Sequence, residues 1–341
     1  MTEKSINWHT LSPDDFEGKG WKKTEAPFDR LPAKIKEALP KVWGLSHSST
    51  GMCVHFDTNS TSIHAKLTLG SDQLGEANFN ICSHSGVDLY CYDSNENRWR
   101  WAAAATHSTI KDQDPEIKLV SPLTSEVRHW RMYMPLRNQL LKISIGVDDG
   151  SEFKVVPPRC EAPLVYYGTS IVHGAFTIRS GLGIAQRVSR KLDMPLINLG
   201  FSGAAKMEKE MAELLAELNA GIFIVDPYHN LSPEDIENNA EEFINILCTA
   251  KPDTPTFVLG APQLLNSWLY PDVKEDQDKK TILLGKICRR MMRKYSNLHY
   301  FKGENFYGSD EVSLDGVHPN DEAFANMSKI LTKKISKVLN K

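Results

Sequence analysis

From about residue 50 to residue 150, apolar and polar positions alternate in short runs at 53–56, 62–67, 87–91, 99–101, 130–134 and 141–145. Alternation with period two marks a strand with one buried and one solvated face, and these runs are rich in β-branched and aromatic residues. Clusters of Asn, Asp, Gly and Ser separate them. The pattern predicts an all-β sandwich of jelly-roll type. The first 45 residues are less regular; they are expected to wrap the sandwich, with a short helix over 31–38.

Residues 155–163 read Val-Val-Pro-Pro-Arg-Cys-Glu-Ala-Pro. Three prolines oppose both a helix and a central strand, so this stretch is expected to be a linker. Beyond it the apolar runs become continuous, at 164–167, 196–199, 222–225, 256–259 and 298–301. Such runs suit parallel strands buried on both faces. Between them the pattern predicts helices over 183–192, 206–218, 233–250 and 281–295, with 321–339 closing the chain. Met207, Met211, Leu214, Leu215 and Leu218 recur at helical spacing and read as core. Ser232 is placed to cap the helix that follows, with Glu234 and Asp235 in its first turn. Strand, helix, strand, helix predicts a doubly wound α/β domain, three layers around a parallel sheet, with ligands at the carboxyl ends of the strands. The expected division is a β-sandwich over 1–160 and an α/β domain over 161–341.

Composition narrows the function classes. The chain has 341 residues, 41% apolar and 24% charged, as in an ordinary globular protein. A net charge of −3 gives no electrostatic reason to expect nucleic acid. No apolar run approaches the ~18–20 residues of a membrane span, so membrane insertion is not expected. The polar start, Met1 to Trp8, has no signal-peptide core. A cytoplasmic location is the default expectation, and a periplasmic or secreted one follows if a leader has been removed. Cys53, Cys82, Cys91, Cys160, Cys248 and Cys288 are scattered without a CxxC pair and read as free, buried thiols. No HExxH or Cys/His cluster has zinc spacing, and Gly181-Leu182-Gly183 lacks the rest of a dinucleotide fingerprint. Neither metal nor cofactor is expected, and oligomeric state is left open.

The candidate chemistry lies at the strand ends. Gly168-Thr169-Ser170 follows the first run of the second half, and Asp315-Gly316-Val317-His318-Pro319-Asn320 precedes the last helix. Together they supply a hydroxyl, an imidazole and a carboxylate, the groups that nucleophilic acyl transfer requires. Asp315, three residues before His318, can fix the imidazole tautomer from within one turn. Ser202-Gly203 follows the second run and Asn230 the third. The backbone N–H groups of Ser170 and Gly203, with the Asn230 amide, could stabilise the oxyanion of a tetrahedral intermediate. Glycine at 203 would keep a Cβ away from the substrate.

These blocks, Gly168-Thr169-Ser170, Asn198-Leu199-Gly200-Phe201-Ser202-Gly203, Asn230 and Asp315-Gly316-Val317-His318-Pro319, resemble those of the SGNH (GDSL) hydrolases in order and type. Gly86-Val87-Asp88-Leu89-Tyr90 resembles the GxDLY element of the β-domain that precedes the catalytic domain in one bacterial GDSL-esterase subfamily. The resemblance spans nearly the whole chain. It implies Ser170 as nucleophile, His318 as base, Asp315 as its orienter, and Gly203 and Asn230 as oxyanion donors. Two departures stand out: GTS replaces GDS, and Asn230 lies in Asp226-Pro227-Tyr228-His229-Asn230-Leu231 where the family has GxND.

The expectation is a serine esterase for short acyl, especially acetyl, esters of a carbohydrate. A lipid-directed acylhydrolase or an acyltransferase could use the same residues, and a non-catalytic carbohydrate-binding protein is the alternative from another class. His173 and His229 are expected to line the pocket, Asp226 to hold the strand end or the Asn230 loop, and Asp88 to tie down a turn. Trp99, Trp101 and Trp130 are expected in the sandwich core rather than on a sugar-stacking face.

Overall fold

The computed structural model describes residues 5–106 and 116–339; Met1 to Lys4, half of the polar N-terminal stretch, lie outside them. Two compact units divide the chain. One comprises the chain up to Ala33, Ser46–Cys160 and Thr177–Gly181; the other comprises Lys34–Leu45, Glu161–Phe176 and the chain from Leu182 onward.

The first unit is a sandwich of two antiparallel sheets. One sheet runs Ile6–Thr10, Leu140–Asp148, Ile63–Leu69, Glu116–Val120 in spatial order. The other runs Phe153–Val156, Cys53–Thr58, Arg128–Tyr133, Asp88–Asp93, Arg98–Ala104, with Phe16–Glu17 also paired to Cys53 and Val54. Alternation decides what each face holds. Val54, Phe56, Leu89, Trp130 and Met132 point inward and meet Ile63, Ala65, Leu67, Ile143, Ile145 and Val147 of the opposing sheet.

Intervening positions of the second sheet carry His55, Asp88, Tyr90, Arg131 and Tyr133, which are also buried. Their polar atoms therefore need partners. Asp88 has no exposed surface and accepts from Arg179 Nη1 at 2.9 and 2.7 Å, from Gly181 N at 2.8 Å and from Trp101 Nε1 at 3.1 Å. Asp88 thus ties down the turn around residues 179–181. The tryptophans divide: Trp130 is core, Trp99 is half-buried against His55 and Arg131, and Trp101 is 55% exposed under the Arg179 guanidinium.

The second unit is built on a five-stranded parallel sheet. Leu164–Gly168 lies between Leu196–Gly200 and Ile222–Asp226, followed outward by Thr256–Leu259 and Leu298–Phe301. In chain order this is 2-1-3-4-5, the flavodoxin-like arrangement, whose switch point falls between the first and third strands. On one side Leu164, Tyr166, Ile222, Ile224 and Phe257 pack with residues of Ile184–Leu192 and Asp321–Val338. On the other Tyr167 stacks on Phe243 of Pro233–Ala250. Ser232 caps that helix through a reciprocal box with Asp235.

Five expectations need correction. The helix over 31–38 is a single 3-10 turn, Ala33–Ile35; the helix is Pro40–Leu45, opened by a proline whose missing N–H costs nothing in a first turn. Lys34–Leu45 belongs to the second unit, so the early residues do not all wrap the sandwich. Val155 and Val156 end the strand Phe153–Val156, because prolines at 157 and 158 stop a strand without preventing the residues before them from pairing. The helix expected from 281 begins at Pro271, in Pro271–Met291. No cysteine is in a disulfide, but only Cys53, Cys248 and Cys288 are buried, and Cys160 is exposed. No described helix is long and apolar enough to cross a membrane.

Candidate active site

Ser170 sits where the first strand turns into a one-turn helix, Ser170–His173. Thr169 caps that helix by accepting the Ile171 N–H, and its own N–H donates to Asp226 O at 3.2 Å. The turn is tight enough that a Cβ on Gly168 would lie 2.5 Å from Asp226 O. Glycine there lets the first and third strands converge just before the hydroxyl.

Ser170 Oγ lies 2.7 Å from His318 Nε2. His318 Nδ1 lies 2.6 Å from Asp315 Oδ2, and Asp315 Oδ1 accepts the backbone N–H of Val317 at 3.0 Å and of His318 at 2.8 Å. A carboxylate only accepts, so Nδ1 carries the ring proton and Nε2 is left to accept from the serine hydroxyl. Partial burial opposes the charge on Asp315, but the bonds from His318 and Val317 outweigh it and hold the carboxyl below its ordinary range. Ser170 keeps 8% of its surface accessible. The hydroxyl and imidazole, 148 residues apart in sequence, therefore form the arrangement that activates an alcohol for attack on a carbonyl carbon.

Gly203 adopts φ +64 in a turn closed by Ala204 N to Phe201 O at 3.1 Å. A Cβ there would meet only Lys41 Nζ, at 3.5 Å. The left-handed backbone is thus a local reason for glycine. The turn is held from several sides. Phe201 N donates to Gly168 O at 2.8 Å, Asn198 Nδ2 to Val172 O at 2.8 Å, and Lys41 Nζ to Gly203 O at 2.7 Å. Asn230 closes a short 3-10 turn, Tyr228–Asn230, and its Nδ2 is 3.4 Å from Phe201 O. Asn230 and Gly203 are thereby brought to one turn beside the Ser170 strand end.

His173 has no exposed surface; its Nδ1 lies 3.1 Å from Ser202 Oγ. The contact braces the turn that carries Gly203, and a fully buried ring presents no surface to an open pocket. His229 is half-buried. Burial, with the nearby charges of Lys280 and His318, pushes its ring down to about 3, and its buried Nε2 has no hydrogen-bond partner. A neutral imidazole there stays uncharged beside His318. Burial pushes the Asp226 carboxyl up to about 7, against a hydrogen bond from Tyr166 Oη at 3.4 Å.

Two contributors are not singled out by the sequence, Lys41 and Phe176, and the capping role of Thr169 joins them. The Phe176 ring lies 5.2 Å from that of His318. A Thr before a strand-end serine is a recognisable cap signal. Nothing in the local sequence marks the other two.

Among the described residues, the one grouping of His, Cys, Asp and Glu close enough to share a cation is Glu17, Cys53 and His55 in the sandwich. It fits a metal poorly, since Arg131 Nε donates to His55 Nε2 at 3.1 Å and Arg159 Nε to Glu17 at 2.8 Å. An open cleft of about 520 Å³ lined by Tyr92, Arg100, Arg128 and His129 also belongs to the sandwich. Its arginines are ion-paired to Asp93 and Glu126.

Residues 161–336 match the GDSL-like lipase/acylhydrolase family, and residues 6–153 match the GxDLY N-terminus of SGNH-hydrolase-type esterases. The chain belongs to the GDSL-like lipase/acylhydrolase family and is an esterase of the SGNH type. A protein described as a GDSL-like lipase from Bacteroides ovatus is similar over 98% of both chains, with 30% identity and a TM-score of 0.90. A salicylyl-acyltransferase from a tetracycline biosynthetic pathway shares the fold over 97% of both chains at 17% identity and TM-score 0.75. A family two carbohydrate esterase from Cellvibrio japonicus does so over 98% of this chain and 99% of its own, at 10% identity and TM-score 0.63. No curated protein matches the sequence.

Proposed function

We propose that this esterase hydrolyses short-chain, especially acetyl, esters of a carbohydrate through an acyl-enzyme on Ser170. The observation that carries the reading is the unbroken relay Ser170 Oγ to His318 Nε2 at 2.7 Å and His318 Nδ1 to Asp315 Oδ2 at 2.6 Å. His318 takes the Ser170 proton as Oγ attacks the ester carbonyl. The oxyanion is held by the N–H groups of Ser170 and Gly203 and the Asn230 amide. His318 returns the proton to the leaving alcohol, and water repeats the cycle to release the acid. None of these steps calls for a cofactor.

A short acyl group suits the polar side chains that the neighbouring strand-end turns carry, Ser202, His229 and Asn230. The carbohydrate half of the substrate rests on analogy with carbohydrate esterases that share the two-domain architecture. The test is a series of p-nitrophenyl esters from acetate to decanoate alongside acetylated sugars. The expected result is highest kcat/KM at acetate and measurable deacetylation of sugars. A maximum at octanoate or longer would point to a lipid-directed acylhydrolase. Product diverted to an added alcohol ahead of water would point to an acyltransferase.

A further inference from the structure

We infer that Phe176 is a positioning residue that sets the plane of the His318 ring, an inference resting on the assignment of Ser170 and His318 above. After the one-turn helix Ser170–His173 the chain reverses at Gly174, at φ +99, and two residues later Phe176 takes φ +66. That backbone region is disfavoured for a bulky L-residue, and such strain persists only where the surroundings impose it.

Among the described residues, the other non-glycine positions with positive φ are Asn97, Asp193 and Met207. Asn and Asp tolerate this conformation through their short polar side chains. Met207 is fully buried and its N–H donates to Tyr167 Oη at 3.2 Å, so packing explains it. Phe176 is only half-buried, so core packing alone does not account for a strained backbone. The strain delivers its ring to the His318 imidazole, with centroids 5.2 Å apart and planes 36° from parallel.

The ring has work to do there. Asp315 and Ser170 hold His318 at its two nitrogens, both in the plane of the imidazole. Two in-plane contacts leave the ring free to rock about the line joining them. A body against its face removes that freedom, and Phe176 is such a body. During attack the imidazole becomes an imidazolium, and an aromatic ring within about 6 Å of a cation favours the charged form. The contact therefore strengthens on the way to the transition state, where an interaction raises kcat rather than lowering KM. One loop of seven residues thus supplies both the hydroxyl and the surface that aims its base.

The test replaces Phe176 with Asn, which accepts the left-handed backbone and removes the ring, and with Tyr, which keeps the ring. With p-nitrophenyl acetate, Phe176→Asn is expected to lower kcat about tenfold with KM changed by less than about twofold. Its melting temperature should be unchanged or higher, because the strain is relieved. Phe176→Tyr should keep at least about half of the parent kcat. The inference is overturned if Phe176→Asn keeps kcat within about twofold, or if its melting temperature falls by more than about 5 °C, the mark of a merely structural ring. It is overturned equally if Phe176→Tyr is as impaired as Phe176→Asn. Ser170→Ala, assayed in parallel, separates premise from inference. Activity surviving in Ser170→Ala overturns both, whereas activity lost there but kept in Phe176→Asn overturns the role of Phe176 alone.

Discussion

Asp315 holds His318 at two points, taking its backbone N–H on Oδ1 at 2.8 Å and its ring Nδ1 on Oδ2 at 2.6 Å. The first bond shapes the turn and the second selects the tautomer, and one carboxylate does both because it stands three positions before the histidine. Asp315→Asn separates the two tasks. An amide oxygen can keep the backbone bonds, but an NH₂ cannot accept from Nδ1–H. The variant should fold with an unchanged melting temperature while kcat falls roughly 10²–10⁴-fold, less than in Ser170→Ala. Steady-state kinetics and a thermal melt on the same sample check both halves.

Two glycines near the hydroxyl carry different loads. A Cβ on Gly200 would lie 2.2 Å from His173 N, with no flexible atom to move aside. Gly200→Ala should therefore break the packing of the Ser170 helix on the second strand and cost several kcal/mol, about 3 or more. Gly203→Ala meets only the Lys41 ammonium at 3.5 Å, and its cost is the left-handed backbone at φ +64, about 1–2 kcal/mol. Urea denaturation should show the first variant strongly destabilised. The second should be mildly destabilised, with activity reduced beyond its loss of stability.

Asp226 gives a pH signature to stability. Burial raises its carboxyl to about 7 in the folded protein, from an ordinary value near 3.8. Below both values the group is protonated in either state and costs nothing. Between them the unfolded chain ionises while the folded one does not, so stability is lost as pH rises, by roughly 2–4 kcal/mol once above the folded value. Asp226→Asn removes the ionisation and keeps the shape. Its melting temperature relative to the parent should rise from pH 4.5 to about pH 7 and level off above that; a difference that does not change with pH would contradict this assignment.

Asp88 and Arg179 form a buried pair in the sandwich unit, at 2.7 Å, with side chains 0% and 17% exposed. Removing the guanidinium leaves a carboxylate without its counter-charge, which costs about 3–5 kcal/mol when the site is fully buried. Arg179→Met should destabilise by roughly that amount, and Asp88→Asn/Arg179→Met should recover part of it. Urea unfolding of the two singles and the double gives the coupling.

The sequence made the strand ends readable because parallel strands are apolar on both faces. The runs at 164–167 and 256–259 differ from the observed Leu164–Gly168 and Thr256–Leu259 by at most one residue. The Asp315–His318 dyad was readable because it is local. Contributions that depend on distant chain were not. The strand Ile6–Thr10 gains its identity only by pairing with Leu140–Asp148. Lys41 matters through a carbonyl 162 residues away. The first turns of Pro271–Met291, Pro-Asp-Val-Lys-Glu-Asp-Gln-Asp-Lys-Lys, carry Val273 as their one apolar side chain besides the proline and so show no apolar stripe to mark a helix. The positive φ of Phe176 is invisible in principle, since no rule maps a phenylalanine to a left-handed backbone. For His173 the spacing from Ser170 is legible, but its full burial against Ser202 is not.

The proposed chemistry makes Ser170 Oγ the nucleophile and His318 its base. A fluorophosphonate bonds covalently to a serine only when that hydroxyl is activated, so labelling followed by intact mass and peptide mapping tests the claim at the atom concerned. The account predicts one adduct per chain, on the peptide containing Ser170, absent in Ser170→Ala and greatly slowed in His318→Asn. An adduct on another residue, or full labelling of Ser170→Ala, would contradict it.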